Sequence, residues 1–373
     1  MPTTSLGKHV CVVVTARPSY SRIRSVLLAL QARPDVRLTV VAAASALLER
    51  YGRVVAQMRL DGFDPIEVCS VIEGDTTETA ACGMGLLTIK LSSLFALLRP
   101  DLVVTIADRH ETLATAVAAA YLHCPLCHIQ GGERSGSIDE KVRHAVTQLA
   151  DSHLVATTAA GAYVAQIRPG AAVTVTGCPS IDIAREALAL LPLETITAGV
   201  GGPLPVSRQL VVLLQHPVTG EADEAGAQMR ITLEALAGLG GPVLALWPGQ
   251  DAGAGEASKV LREASLASPG GRLHTIRGMP PCQFLRLLTQ VGCLVGNSSV
   301  GIRECSYLGV PVVNIGTRQI RRERAGNVVD VPHAVEAIQA AVRQQLAAGP
   351  SPSSVLYGDG HAADRIVGVL CPS

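Results

Sequence analysis

The sequence predicts an α/β fold of two open domains whose parallel sheets face a central cleft, and three observations carry that prediction. Apolar runs of strand length alternate with helical stretches almost throughout, the pattern of parallel sheets with helical crossovers. The alternation breaks once, near "LLPLETITAGVGGPLPVSRQ", and then restarts. At 373 residues, with 48% apolar but only 3% aromatic residues, the chain is too long for one typical core. Its aliphatic bias suits strands covered by helices.

The first domain is read as residues 1–188, with strands near 10–15, 37–43, 102–107, 125–129, 153–156 and 173–176. Helices are expected at 21–31, 78–98, 111–121 and 139–149. The Gly- and Pro-rich break is read as an interdomain linker. A second domain over 208–359 has strands near 210–214, 242–247, 293–296 and 311–315, and helices at 222–238, 281–289, 299–308 and 333–347. A final helix covers about 360–370, and no repeat at solenoid period is present.

Formal charge is +0, from 31 basic and 31 acidic residues. No global field draws the protein to nucleic acid or membrane, so neither partner is expected. The opening "MPTTSLGKHVCVVVTARP" runs into a strand without a signal-peptide pattern, and no apolar run is read as membrane-spanning. A cytoplasmic protein is expected. Cys11 and Cys293 fall in strand-like runs and Cys82 and Cys305 on helices, where Cys serves as a small hydrophobe. "HCPLCH" (His123 to His128) looks like a metal clip, but no second Cys pair lies at zinc spacing, so no metal site is expected.

In open α/β sheets ligands bind at the carboxyl ends of strands, and five polar clusters stand there. "VVVTARPSYSRIR" places Arg17, Ser21 and Arg22 at a helix start, which suits either a phosphate or a capped, solvated helix. "VVTIADRHET" places Asp108 and Arg109 after a buried strand, with Glu111 at capping-box spacing from Asp108. "CHIQGGERSGSIDEKVRHA" places Gln130, Glu133 and Arg134 around Gly131 and Gly132. There Ser137 and Glu140 fit a capping box, and Asp139 and Arg143 share a helix face at four-residue spacing. The glycines point to a close backbone approach. His216 in "VVLLQHPVTGEADE" ends the first strand of the second domain and is a candidate for acid/base or phosphate contact. The fifth cluster, "CLVGNSSVGIRECSYLGVPVVNIGTRQIRRERAGNVV", combines Ser298, Ser299 and Gly301 at a helix start with Glu304 one turn in. The basic "GTRQIRRER", with Arg318, follows. It reads as a diphosphate site or as a solvated loop.

Taken together, these clusters resemble the UDP-N-acetylglucosamine 2-epimerase family, especially its hydrolysing branch. "GGERSGSIDEKVRHAVTQLADSH", "TGCPSID", "GNSSVGIREC" and "LGVPVVNIGTRQ" carry the resemblance, which covers nearly the whole chain. It implies a GT-B-like fold of two Rossmann-type domains, with residues 360–373 packing back on the first. It implies that Arg17 and Ser21 lie near a diphosphate and that Ser298, Ser299, Glu304 and Arg318 hold UDP. The catalytic carboxylates fall on Asp108 and Asp139, the second-domain histidine on His216 and the helix arginine on Arg143. The implied substrate is a nucleotide sugar or nucleoside, with no cofactor; low charge and apolar helices point to a homodimer.

In that chemistry C2 of the sugar loses its proton as UDP leaves C1, and the resulting glycal is hydrated or recombines with UDP. A positioned carboxylate must act on the weakly acidic C2 proton, and cations must absorb the diphosphate charge. Gln130 stands where the family often has a proton-carrying Glu, which makes Glu133 the expected substitute. Arg134, Arg321 and Ala325 also depart from the pattern and point to an altered substrate. Two further readings stay open: a lyase or dehydratase on another nucleotide sugar or nucleoside, and a GT-B glycosyltransferase or nucleotide-sugar binding protein.

Overall fold

Strands β1 (Lys8–Val14), β2 (Val36–Ala43), β3 (Ile66–Val68), β4 (Leu102–Ile106), β5 (Leu126–Ile129), β6 (Ser152–Val155) and β7 (Ala172–Val175) form one parallel sheet, ordered β3-β2-β1-β4-β5-β6-β7. This is a computed structural model, and it describes residues 7–49, 54–74, 76–249, 251–268 and 271–372. Helices α1 (Arg17–Gln31), α2 (Val54–Leu60), α3 (Thr77–Leu98), α4 (His110–Tyr121), α5 (Asp139–Leu149), α6 (Thr158–Ile167) and α7 (Pro179–Leu188) connect and cover the strands. Being covered on both faces, β1 and β4 are apolar nearly end to end. Alternate residues of β1 enter opposite cores: Val10, Val12 and Val14 pack with Ile23 and Leu27 of α1, while Cys11 and Val13 pack with Leu87 and Phe95 of α3.

The Gly- and Pro-rich segment is not a slack linker. It carries a small antiparallel ribbon, β8 (Thr195–Ile196) with β9 (Leu204–Pro205), because Ile196 and Leu204 are buried in the second domain's core. The second sheet is also parallel: β10 (Val211–Leu214), β11 (Val243–Leu246), β12 (Leu273–Ile276), β13 (Cys293–Gly296), β14 (Val312–Ile315) and β15 (Val328–Val331), ordered β12-β11-β10-β13-β14-β15. Its helices are α8 (Ala225–Ala237), α9 (Ala254–Ala267), α10 (Pro281–Leu288), α11 (Ser299–Ile302), α12 (Glu304–Leu308) and α13 (Val335–Ala348). The single helix expected over 299–308 is broken at Arg303 (φ −96°, ψ −73°).

The last helix, α14 (Ala362–Leu370), returns to the first sheet. Ile366, Val367 and Leu370 join the core of Val10 and Leu27. The Asp182 carboxylate on α7 accepts the amides of Ala362 and Ala363 at 2.9 and 2.7 Å, so a charge caps the start of α14 from across the chain.

Helix α3 corrects one expectation. It is long and apolar enough to span a membrane by length and composition, with a mean hydropathy of 1.7 over its best window. In the fold it lies on the first sheet, burying Leu87, Leu91 and Phe95 and leaving Ile89 and Leu97 exposed.

Chain order reverses beside the first strand of each sheet. β2 and β4 flank β1, and β11 and β13 flank β10. Such switch points open crevices at the carboxyl ends of the strands. Arg17, Asp108, His216 and Ser298 follow β1, β4, β10 and β13, so the topology delivers them to two crevices on one cleft.

Candidate functional site

Three cavities run along the cleft and share walls. One of about 490 Å³ is bordered by Arg17, Glu73, Arg109, His216, Trp247 and Arg277. A second, about 510 Å³, meets it at Arg109 and extends past Asp139 and Asp251. A third, about 150 Å³, meets the first at Arg17 and His216 and is walled by Ser21, Arg22, Ser298, Ser299 and Glu304.

The walls of the third cavity are tied across the domains. Arg22 donates from Nη2 to Ser299 Oγ at 3.0 Å. Ser298 caps α11 by accepting from the Val300 amide, and Glu304 is buried with Oε2 unpartnered. Ser21 donates to its own helix at Arg17 O, 3.0 Å away. Arg318 is not among the walls of that cavity and lies against the Asn297 carbonyl (3.3 Å) and Asp251 (3.6 Å). Gly301 faces the second sheet: a Cβ there would stand 2.8 Å from Val312 Cγ1. It serves close helix–strand packing rather than reaching a ligand.

His216 is held by its backbone and its ring. Asn297 Oδ1 accepts from its amide and Asn297 Nδ2 donates to its carbonyl, both at 2.7 Å. The Gly249 amide donates to Nδ1 at 2.9 Å. The neutral ring therefore carries its proton on Nε2. Burial pushes the ring pKa down to about 3, and Arg318, Arg17 and Arg109 act in the same direction against Asp251.

On the first-domain side, Asp108 makes no helix cap. The α4 N-cap is Arg109, without a side-chain bond. Asp108 instead accepts from Arg143, at 3.2 Å from Nε and more closely from Nη2, and from Arg322 Nη2 at 3.3 Å. Burial would raise its pKa, but Arg143, Arg322 and Arg22 outweigh it and hold the carboxylate ionised. The expected Asp139–Arg143 pair is absent, because Arg143 is turned to Asp108, Ser135 Oγ and the Glu133 carbonyl. Nor does Ser137–Glu140 form a capping box. Ser137 donates to Asp139 Oδ2 at 2.9 Å, and Glu140 accepts from the Ser135 amide. Asp139 is left with a raised pKa: burial and the negative charges of Asp108 and Asp251 favour its protonated form against Arg318 and Arg109.

Glu133 is no free substitute for a missing proton carrier. Its Oε2 accepts from Arg303 Nη2 at 2.6 Å and from Arg322 Nη1. Burial opposes ionisation, but Arg303, Arg322 and Arg143 bring the pKa down to about 2. Gln130 is buried, its amide nitrogen donating to Cys178 Sγ and its Oε1 unpartnered. Ala107 and Gln130 both have positive φ, 71° and 66°. Strained backbone thus sits at two adjacent strand ends above the site.

The close approach at the two glycines is internal. A Cβ on Gly132 (φ +78°) would lie 2.2 Å from Ala160 O of α6, and one on Gly131 would lie 3.0 Å from His128 Nδ1. Arg134 and Arg321 line none of the three cavities; Arg134 stands over the Tyr163 ring at 5.5 Å and Arg321 reaches Glu140 at 3.7 Å. In "HCPLCH", Cys127 faces the core beneath α1 while His128 Nε2 donates to Ala107 O at 2.9 Å on the opposite face, so the two cannot converge.

Three residues escaped sequence reading. Asp251, after β11, accepts from Arg109 Nη1 at 3.1 Å and lies near Arg318. Arg303 was legible only as an arginine inside the apolar run "GIREC", and Arg322 was one of several in "RRER".

Comparison with known proteins agrees with this geometry. The family model described as UDP-N-acetylglucosamine 2-epimerase matches residues 28–371. A UDP-N,N'-diacetylbacillosamine 2-epimerase (hydrolyzing) of Legionella pneumophila is 30% identical over 97% of this chain and 95% of its own. A UDP-N-acetylglucosamine 2-epimerase of Neisseria meningitidis is 28% identical over 92% of this chain and 88% of its own. The crystal structure of UDP-GlcNAc 2-epimerase from Neisseria meningitidis bound to UDP-GlcNAc superposes with a TM-score of 0.79 at 18% identity, covering 98% of this chain and 100% of that one. The fold is GT-B-like.

Proposed function

The chain belongs to the UDP-N-acetylglucosamine 2-epimerase family, and from that premise we propose that it is a hydrolysing member. It eliminates UDP from a UDP-2-acetamido sugar and releases the 2-epimeric free sugar. The observation that carries this reading is Asp139. It is the cleft carboxyl whose proton affinity is raised, and it borders a cavity joined through Arg109 to the one walled by Arg17 and His216.

Asp139 takes the C2 proton while the C1–O bond breaks, the electron pair leaves with UDP, and a C1=C2 double bond forms. Asp108, held ionised by Arg143 and Arg322, stabilises the cationic character that develops at C1. The leaving diphosphate is met by Arg17, by the Nε2–H of His216 and by the uncapped first turn of α1. His216 acts as a neutral donor rather than an acid. Ser298 and Ser299 take phosphate oxygens, Glu304 the ribose hydroxyls, and Arg318 supports His216. Water then adds its oxygen to C1 and a proton returns to C2 from the other face. Gln130, neutral at all accessible pH, carries no proton.

Incubation with UDP-GlcNAc in D2O, followed by NMR, tests this. Free UDP with N-acetylmannosamine deuterated at C2 is expected. Deuterated UDP-ManNAc would replace the hydrolysing reading by the non-hydrolysing one, and UDP binding without turnover of UDP-GlcNAc or of UDP-N,N'-diacetylbacillosamine would refute both.

A second sugar is favoured by one observation. The cavity beside Asp139 is walled by Val71, Ile72, Ala80, Met84 and Val142, which suit the methyl of a further acetamido group better than hydroxyls. UDP-N,N'-diacetylbacillosamine is the probe for that reading, and kcat/KM above that for UDP-GlcNAc is its signature. All ten cysteines carry free thiols, which supports a reducing, cytoplasmic compartment. The exposed apolar face of α3 supports a homodimer.

A further inference from the structure

Two first-domain carboxylates and two second-domain guanidiniums meet in one buried cluster. Glu133, after β5, bonds through Oε2 to Arg303 Nη2 at 2.6 Å and to Arg322 Nη1. Arg322, on the segment after β14, also reaches Asp108 Oδ2 at 3.3 Å. The side chains of Glu133, Arg303 and Arg322 are 4%, 1% and 5% exposed.

The pairings are unequal in a way that matters. Asp108 has a partner in its own domain, Arg143. Among the described residues the Glu133 carboxylate has no hydrogen-bonding partner in its own domain: Arg143 bonds only its carbonyl and acts on the carboxylate by charge alone, and both guanidiniums bonded to that carboxylate come from the second domain. A buried charge that loses its partner is strongly unfavourable, so Glu133 and Arg322 can stay dry only while the two domains are docked. Arg322 is forked, and its two terminal nitrogens serve different carboxylates; a point charge cannot reproduce that bridge.

We propose that Arg322, with Arg303 beside it, is a positioning residue that clasps the second domain onto Asp108 and Glu133, so that the catalytic centre is complete only in the closed cleft. None of Asp108, Glu133, Arg303 and Arg322 walls the cavity of Ser298, Ser299 and Glu304, so nucleotide capture and closure are separable steps. The turnover part of this inference rests on the epimerase reading; the closure part does not.

The test compares wild type, Arg322→Gln and Arg322→Lys in three measurements. Calorimetry with UDP is expected to show less than about a tenfold change, since the clasp contributes only through closure. Steady-state kinetics are expected to show kcat reduced about 100-fold or more in Arg322→Gln, the scale of a misplaced catalytic group. Arg322→Lys should recover part of that loss, about tenfold. Small-angle scattering of the UDP complex should give a larger radius of gyration for Arg322→Gln than for wild type. Wild-type kcat together with wild-type scattering in Arg322→Gln overturns the clasp, as does a loss confined to UDP affinity. If Arg322→Gln does not fold, Arg322→Lys decides, because a single ammonium cannot span both carboxylates; wild-type kcat in that variant overturns the proposal. If the wild-type protein turns over no nucleotide sugar, the epimerase reading fails while the scattering comparison still judges the clasp.

Discussion

The Gly249 amide donates to His216 Nδ1, and that one bond decides which ring nitrogen presents a proton to the cleft. A ring whose pKa has fallen to about 3 stays neutral across the physiological range. His216→Gln, which keeps a donor, should therefore retain more kcat than His216→Ala, which should lose about 100-fold. The pH profile between about 5 and 8 should show no inflection that vanishes in the Gln variant; such an inflection would restore histidine acid catalysis. Asp139 makes the opposite case. A general base must be ionised, so kcat/KM should fall as pH drops through its folded pKa, above the free-Asp value of about 3.9. Asp108 is one of the charges that raise Asp139. Asp108→Asn should cut turnover about 100-fold and also move the acid limb to lower pH. An acid limb that stays in place in Asp108→Asn would mean that another group sets it.

At the level of elements, the strand-to-helix hand-over at "QGGERSGSIDE" was legible as a candidate site, but its local pairings were misread. Periodicity located β5 and α5 because long apolar runs and a helical face are local signals. The partners of Asp108 and Arg143 were not those the spacings offered. Asp108 takes Arg143 from beyond another strand and Arg322 from the other domain, Arg143 is drawn to Asp108 and to the loop before α5, and Asp139 keeps only the Ser137 hydroxyl as a hydrogen-bond donor. For the same reason β3, β12 and β15, of three or four residues, escaped notice, since short strands between turns depend on tertiary pairing. The two glycines show how such a residue is tested. Gly132→Ala forces a Cβ into Ala160 O at positive φ and should cost at least about 2 kcal/mol, read as a lowered urea midpoint. Gly85, on α3 with open space around its Cα, should accept Ala with a gain of about 0.5–1 kcal/mol. Equal midpoints for the two variants would refute internal packing as the reason for Gly132.

Across the whole molecule, two sheets reverse strand order beside their first strands, and this places Arg17, Asp108 and His216 on the cleft. The outer layer then has a separate task. Helices α3 and α4 pack together on the first sheet, yet Ile89, Leu97, Tyr121 and Leu122 remain exposed, Leu97 at 80% and Tyr121 at 82%. Leu97 and Tyr121 lie at the C-terminal ends of neighbouring helices, where one apolar patch can form. Contiguous patches of this kind mark association surfaces, and a stable homodimer needs about 800 Å² from each subunit. A face repeated on an identical copy satisfies a two-fold axis without any new chemistry. Light scattering on the purified chain should give twice the mass of 38.7 kDa. Leu97→Glu combined with Tyr121→Glu should give the single mass, with UDP affinity unchanged because the patch lies on the outer layer rather than the cleft. A wild-type monomer that binds lipid vesicles, and loses that binding in the double variant, would assign the patch to a membrane surface and remove the dimer.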